Sequence, residues 1–156
     1  DHSSPDITLP KRKRRLDEKA ILDAYNNGRR NFAQEELSNL NLSKAQLLRV
    51  NFFQCKLTGT NLQGANLSNA DLGRADLSQA ILKNTNLDNA YLAYADLEES
   101  DLRGANLTGA NLRHANLKNA NLCGANLSDA QVNPEQIVLA KTNWLTVMPN
   151  GKRGCW

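Results

Sequence analysis

Residues 65–79 read Ala65-Asn66-Leu67-Ser68-Asn69, Ala70-Asp71-Leu72-Gly73-Arg74, Ala75-Asp76-Leu77-Ser78-Gln79, one five-residue phrase stated three times. Working outward in both directions, the apolar residue keeps its place at every fifth position. The series opens with Phe32, Leu37, Leu42, Leu47, Phe52 and Leu57 and closes with Leu127 and Val132, and none of its twenty-one members is polar. Two residues ahead of each stands a mostly small one (Ala80, Ala90, Ala95, Ala130), and Asn or Asp most often lies between, as at Asp101 and Asn121.

A period of five excludes the two common elements. A helix keeps one apolar face with spacings of three and four, and a strand does so with a spacing of two. Spacing five would wind the leucines around a helix or alternate them across a strand. They share one side only if a short extended piece and a bend recur every five residues, so that the chain coils and pairs its backbone with its own next turn. The sequence therefore predicts an all-β solenoid over residues 30–134, with adjacent turns about 4.8 Å apart. Gly59, Gly64, Gly104, Gly109 and Gly124 fall at the bend, which gives them a structural role rather than one in phosphate binding.

Runs such as Ala65-Asn66-Leu67-Ser68-Asn69, Ala75-Asp76-Leu77-Ser78-Gln79 and Ala105-Asn106-Leu107-Thr108-Gly109 resemble the A-(D/N)-L-x-x motif of the pentapeptide-repeat proteins, over about two thirds of the chain. The resemblance implies a right-handed, four-sided β-helix with four pentapeptides per coil, hence about five coils and a rod roughly 25 Å long. It also suggests a cyanobacterial or plastid-like source.

A twenty-residue coil sorts the outward residues into four faces. One carries Asp71, Arg74, Tyr91, Tyr94, Arg113 and His114, with Phe53 toward the N-terminal end. Aromatic and arginine side chains are enriched where proteins bind proteins. Phe53, Arg74, Tyr91, Tyr94, Arg113 and His114 are therefore the candidate protein-binding face. The plainer reading is that the tyrosines cover backbone and the arginines keep the rod in solution. A second face is mildly acidic (Asp76, Asp96, Glu98, Glu99), and a third holds Ile81, Lys83, Asp101 and Arg103. The fourth stacks Asn66, Asn86, Asn106 and Asn126, where amide ladders are expected. Phe32 and Phe52 share an inner side. Arg30 and Glu35 occupy inward positions, which predicts a first coil that is not fully wound.

Both flanks depart from the repeat. Residues 1–15 read as a disordered tail ending in Lys11-Arg12-Lys13-Arg14-Arg15. That run suits a solvated linker, a nucleic-acid contact or an anionic-membrane contact. Residues 16–28 carry a helical stripe of Leu16, Ala20, Ile21, Ala24 and Tyr25, stopped by Asn27-Gly28, and are expected to cap the first coil. Asn133, Pro134 and Gln136 spell a helix start. Residues 135–156 are then a second capping helix, with an apolar face running from Ile137 to Trp144, and a tail with a turn at 148–151. In some family members such an end forms a dimer contact, so the chain is expected to be a monomer or a homodimer through a terminal cap.

The 156 residues carry 40% hydrophobic side chains and a net charge of +3, with no apolar run of eighteen or more to span a membrane. The three cysteines lack metal spacing, so no metal and no cofactor is expected. Cys55 should point inward. Cys123 points outward near the last coil, where a disulfide with Cys155 and two separate thiols are both open. The chain is expected in the cytoplasm, or in a thylakoid lumen or periplasm if a signal peptide was removed. A catalytic carboxylate needs a pocket to shift its pKa, and a rod filled with Ala and Leu predicts none, which argues against an enzyme. What remains is a non-catalytic scaffold for an unidentified protein partner. The family resemblance adds a DNA-mimic regulator of DNA gyrase as an alternative. Residues 31–134 hold ten Asp and Glu against eight Lys and Arg, however, too neutral a surface to imitate duplex DNA. The same rod shows no basic aromatic groove, which argues against nucleic acid as its partner.

Overall fold

Each five-residue unit satisfies its own backbone, which is why the period is five. In the unit from Ala65 to Asn69 all five N–H groups are spoken for. Ala65 N donates to Leu62 O within a turn, Asn66 N to Ala45 O one coil back, and Leu67 N to Asn86 O one coil on. Ser68 N donates to the Asn66 side chain at 3.0 Å, and Asn69 N to Asp88 O. Buried backbone polar groups must find partners. The Asn or Asp before each leucine is the acceptor for the one donor that no neighbouring coil reaches, an Asx-turn.

The computed structural model describes residues 15–154. Among the described residues every parallel bridge but one joins residues twenty apart, beginning with Asn31 to Asn51, Glu36 to Lys56, Asn41 to Asn61 and Gln46 to Asn66. The straight pieces are so short that they register as isolated bridges rather than extended strands. Between them lie turns whose third residue sits at positive φ, the type II signature. Every fifth residue from Gln34 to Asp129 adopts this conformation.

The apolar column closes on itself. From Phe32 to Leu127 each of its members is at most 1% exposed, and Val132 packs partly buried against them. Each buried leucine contributes about 1.5–3 kcal/mol of transfer free energy. Phe32 and Phe52 meet edge to face with centroids 6.0 Å apart. Where the small inward residue carries a hydroxyl, it finds a carbonyl: Thr60 donates to Leu37 O and Thr85 to Leu62 O of the coil behind, and Ser100 to Leu97 O of its own turn, all at 2.7 Å. Cys55 points inward as its position predicts and donates to Phe32 O.

Helix α1 spans Glu18–Asn26, with Asp17 as N-cap accepting from Ala20 N. It ends on Gly28 at φ 101°, with Gly28 N bonded to Tyr25 O and Arg29 N to Ala24 O, a Schellman stop. Ile21 is fully buried against the first coil. Glu18 Oε2 accepts from Asn41 N at 2.9 Å, and the Tyr25 hydroxyl donates to Leu48 O at 2.8 Å. Both groups belong to the coil edge that has no preceding turn to pair with.

Three expectations are corrected. The first coil is wound from Asn31 onward, because Arg30 and Glu35 do not obstruct it. Arg30 lies over the Tyr25 ring at 3.8 Å, and buried Glu35 sits 3.9 Å from Arg29. The amides of Asn66, Asn86, Asn106 and Asn126 form no ladder with one another among the described residues. Their oxygens are taken by Ser68, Asp88, Thr108 and Ser128 N–H of their own turns. The second helix, α2, covers only Pro134–Ile137. Its predicted capping box is present, Asn133 and Gln136 bonding each other's backbone N–H at 3.0 Å. It stops because Gln136 Nε2 is drawn to Leu112 O and Ala115 O and the chain then rejoins the ladder, Lys141 pairing with Asn121 and Val147 with Asn126. The stripe to Trp144 is therefore not helical, and Trp144 is 73% exposed.

Candidate functional site

The side containing residues 51–54, 71–74, 91–94 and 111–114 gathers most of the candidate residues, and it does so by breaking the repeat's own rules. Tyr91 stands where the unit calls for Asn or Asp. Its ring lies against Gly73, where an added Cβ would come within 2.7 Å of the ring. The small residue at 73 thus makes room for the tyrosine of the next coil. Among the described residues Ala93 N, the donor that an Asx side chain at 91 would serve, has no protein acceptor.

Tyr94 breaks a second rule. It occupies the positive-φ position, as do Arg74 and His114 one coil on either side, at φ 62°, 54° and 61°. A side chain with a Cβ is disfavoured there, by roughly 1–2 kcal/mol, and a bulky one is rare. The chain has four such columns. Three of them relieve the conformation in part with Gly or Asn (Gly59 and Asn119; Gly64 and Asn84; Asn69 and Gly109) beside Gln79, Glu99, Lys44 and Arg49, whereas the column of Gln34, Gln54, Arg74, Tyr94 and His114 contains neither Gly nor Asn.

The side chains of this column stack. The Arg74 guanidinium lies 4.4 Å above the Tyr94 ring, and Tyr94 and His114 are parallel-stacked with centroids 4.7 Å apart and planes 20° apart. A cation over an aromatic face contributes about 0.5–1 kcal/mol when exposed. Farther along, Gln34 Nε2 donates to Gln54 Oε1 at 2.9 Å. Tyr91 and Tyr94 remain 43% and 49% exposed, so the stack is presented rather than buried. Phe53 lies on the same side, half-buried, and Arg113 is exposed next to His114.

At the far end the side opens into a cleft of ≈ 360 Å³ lined by Arg113, His114, Gln131, Val132, Asn133 and Gln136. Sequence reasoning missed Gln131, Asn133 and Gln136 as lining residues, because α2 replaces a side of the coil and so recesses the surface. It also missed the column rule, although spacing the sequence by twenties displays it.

Elsewhere the shifted carboxyls answer to local bonds. Hydrogen bonds from Arg103, at 2.6 and 2.8 Å, hold the Asp101 carboxyl below its ordinary range. Burial pushes Asp76 up, but the Ser78 hydroxyl and amide outweigh it and leave that carboxyl lowered too. Lys11 to Arg14 and Cys155 lie outside the described residues, so neither the basic segment nor the Cys123–Cys155 pairing is placed. Arg15 is exposed and Cys123 half-buried. Among the described residues no cluster of His, Cys, Asp and Glu could hold a metal, and no helix is long and apolar enough to cross a membrane.

Comparison with known proteins agrees with this geometry. The family model described as Pentapeptide repeats matches in eight copies over residues 36–74, 70–109 and 105–133. No curated protein sequence matches the chain. Among solved structures, a pentapeptide repeat protein from the Arabidopsis thaliana thylakoid lumen is 30% identical, covers 72% of this chain and 76% of its own, and superposes with a TM-score of 0.64. Rfr23, a pentapeptide repeat protein from the cyanobacterium Cyanothece 51142, is 29% identical over 82% of this chain and 96% of its own, with a TM-score of 0.57. Full-length QnrB1, a plasmid-mediated fluoroquinolone resistance protein, is 17% identical over 72% of this chain and 62% of its own, with a TM-score of 0.46, too distant to bear on function. The first two structures imply a right-handed β-helix, and with residues 36–133 matched the chain belongs to the pentapeptide-repeat family.

Proposed function

We propose that this chain is a non-catalytic interaction module, a four-sided rod of about five coils that offers its Tyr91–Tyr94–Arg113 side to a protein partner. In this reading α1 closes one end of the rod and the segment from Pro134 onward closes the other. The observation that carries it is the pair of rule-breaking tyrosines. Tyr91 forgoes the Asx acceptor, and Tyr94 puts a ring at the positive-φ position, in the one column of the four that holds neither Gly nor Asn. Both choices cost the rod backbone stability, which the stacking of Arg74 and His114 on Tyr94 offsets only in part, and both leave aromatic surface in solvent. Strain retained at an exposed position points to use rather than packing. The lowered carboxyls support a structural role over catalysis, since Ser78 and Arg103 account for them.

The test returns the side to the repeat's own pattern. Tyr91→Asn, Tyr94→Gly and Arg113→Ala together should leave the fold intact. Partner recovery from an extract of the source organism should fall at least tenfold relative to the unaltered chain, about 1.4 kcal/mol. Equal recovery of every bound protein would remove the reading. Exposed Val138, Leu139, Trp144 and Leu145 leave the C-terminal end available for self-association. Sedimentation of the unaltered chain beside Trp144→Ser decides between monomer and dimer.

A further inference from the structure

We propose that the cleft beside His114 receives a carboxylate side chain of an acidic peptide segment, and that the segment lies extended along the Arg74–Tyr94–His114 stack. This rests on the interaction reading above and specifies its partner chemically.

The cleft has charged and amide donors left over, and of its three amide oxygens only that of Gln131 is uncommitted among the described residues. Asn133 Oδ1 accepts from Gln136 N, and Gln136 Oε1 accepts from Asn133 N. Gln136 Nε2 is spent on Leu112 O and Ala115 O. That fixes both amides and leaves the NH2 of exposed Asn133 with no bond among the described residues. Arg113 has no ion pair and no side-chain hydrogen bond among them either; only its backbone is held, the N–H by Asn111 at 3.1 Å and the carbonyl by Tyr94 N. No carboxylate lines the space. Glu135 of α2 is exposed and outside the lining. The one acid on this side between residues 51 and 134 is Asp71, two coils from Asn111, about 10 Å at strand spacing. Its Oδ1 already serves Gly73 N at 2.9 Å. A guanidinium, an imidazole and an amide NH2 around an acid-free recess match a carboxylate, which accepts several hydrogen bonds and takes arginine in a forked geometry.

The stack argues for a chain rather than a small anion. Arg74, Tyr94 and His114 make a flat ribbon leading away from the cleft, long enough to support two or three extended residues. It argues against a polynucleotide as well. Residues 31–134 carry ten acids against eight Lys and Arg, so the rod lacks the basic excess that holds an evenly charged polyanion, while one or two carboxylates can still be met locally.

The experiment uses the whole chain and three fluorescein-labelled probes: an acidic peptide of alternating Glu and Ser, its Gln-for-Glu counterpart, and single-stranded oligo-dT. Anisotropy titrations should show saturable binding of the acidic peptide and about tenfold weaker binding of the Gln peptide. Arg113→Gln and Tyr94→Gly should each weaken the acidic peptide by about tenfold, while Lys118→Gln, on a neighbouring side, leaves it unchanged. Both substitutions fall on exposed side chains, and glycine suits the φ of residue 94, so circular dichroism should match the unaltered chain. The proposal is overturned if the acidic peptide does not bind, if both peptides bind alike, if Arg113→Gln changes nothing, or if oligo-dT binds more tightly. Should the extract experiment still depend on Tyr94 while the acidic peptide is ignored, the interaction face stands and the carboxylate assignment falls. Loss of both effects removes the two together.

Discussion

Tyr94 is the residue at which local preference and observed conformation disagree most, at φ 62° with half its surface in solvent. Relieving that conformation is therefore expected to help the fold even as it removes the stack. Tyr94→Gly should leave stability unchanged or raise it by up to about 1 kcal/mol, whereas Tyr94→Val, branched at Cβ, should lower it by 1 kcal/mol or more. Urea denaturation of the two variants checks the order; a less stable glycine variant would show that the stack contributes more than the backbone loses. The same scale explains Asn84 and Gly104. The Asn84 side chain reaches over the next coil so closely that an added Cβ on Gly104 would strike its Oδ1. The same pairing of Asn with a Gly one coil on recurs at Asn39 and Gly59 and at Asn89 and Gly109.

At the scale of elements, α1 works as a lid through two buried side chains, Ile21 and Tyr25, and two hydrogen bonds to an otherwise unpaired coil edge. Ile21→Ala should cost about 2–5 kcal/mol in the stability of that end. In a solenoid each turn is held by its neighbours, so amide exchange should quicken around Leu42 and Leu47 and much less around Leu107. Uniform loss of protection would mean the rod unfolds as one unit. The elements also show what the sequence could and could not say. The leucine column, the Asx position, the bend glycines, the α1 stripe and the Asn133 cap were all legible, because each follows from a local requirement repeated or signposted nearby. The end of α2 was not. Ile137, Ala140 and Trp144 have helical spacing, but Gln136 is held by Leu112 O and Ala115 O, a pairing twenty-odd residues away that no local pattern displays. The amide ladder failed for a related reason. Asn66 and Asn86 do stand at one height, yet each amide oxygen is claimed by its own turn. The candidate face was legible as a set of residues sharing a side. The stacking order and the cleft were not, since they depend on where rings and α2 come to rest.

For the molecule as a whole, acid is the informative variable. Asp76 and Asp101 have folded-state pKa values below the ordinary one. Their stabilisation is complete above the unfolded value near 3.9 and disappears as pH falls through the lower folded values. The thermal midpoint should accordingly hold steady from about pH 8 to pH 5 and fall below about pH 4, with Asp101→Asn showing a shallower fall. An equal fall in that variant would place the acid sensitivity elsewhere. The twenty-residue pairing has a further consequence, for how such a chain can change its length. Removing residues 96–115, a full circuit, would leave every later side chain facing the direction it faces now. Removing only Asp96–Ser100 would leave the rod folded and the leucines inside, yet Asn119 rather than His114 would come to lie beneath Tyr94. Growth or loss by whole circuits conserves a surface, while growth or loss by single units deals its residues to new neighbours, so a rod of this kind can acquire a different binding pattern without a single substitution.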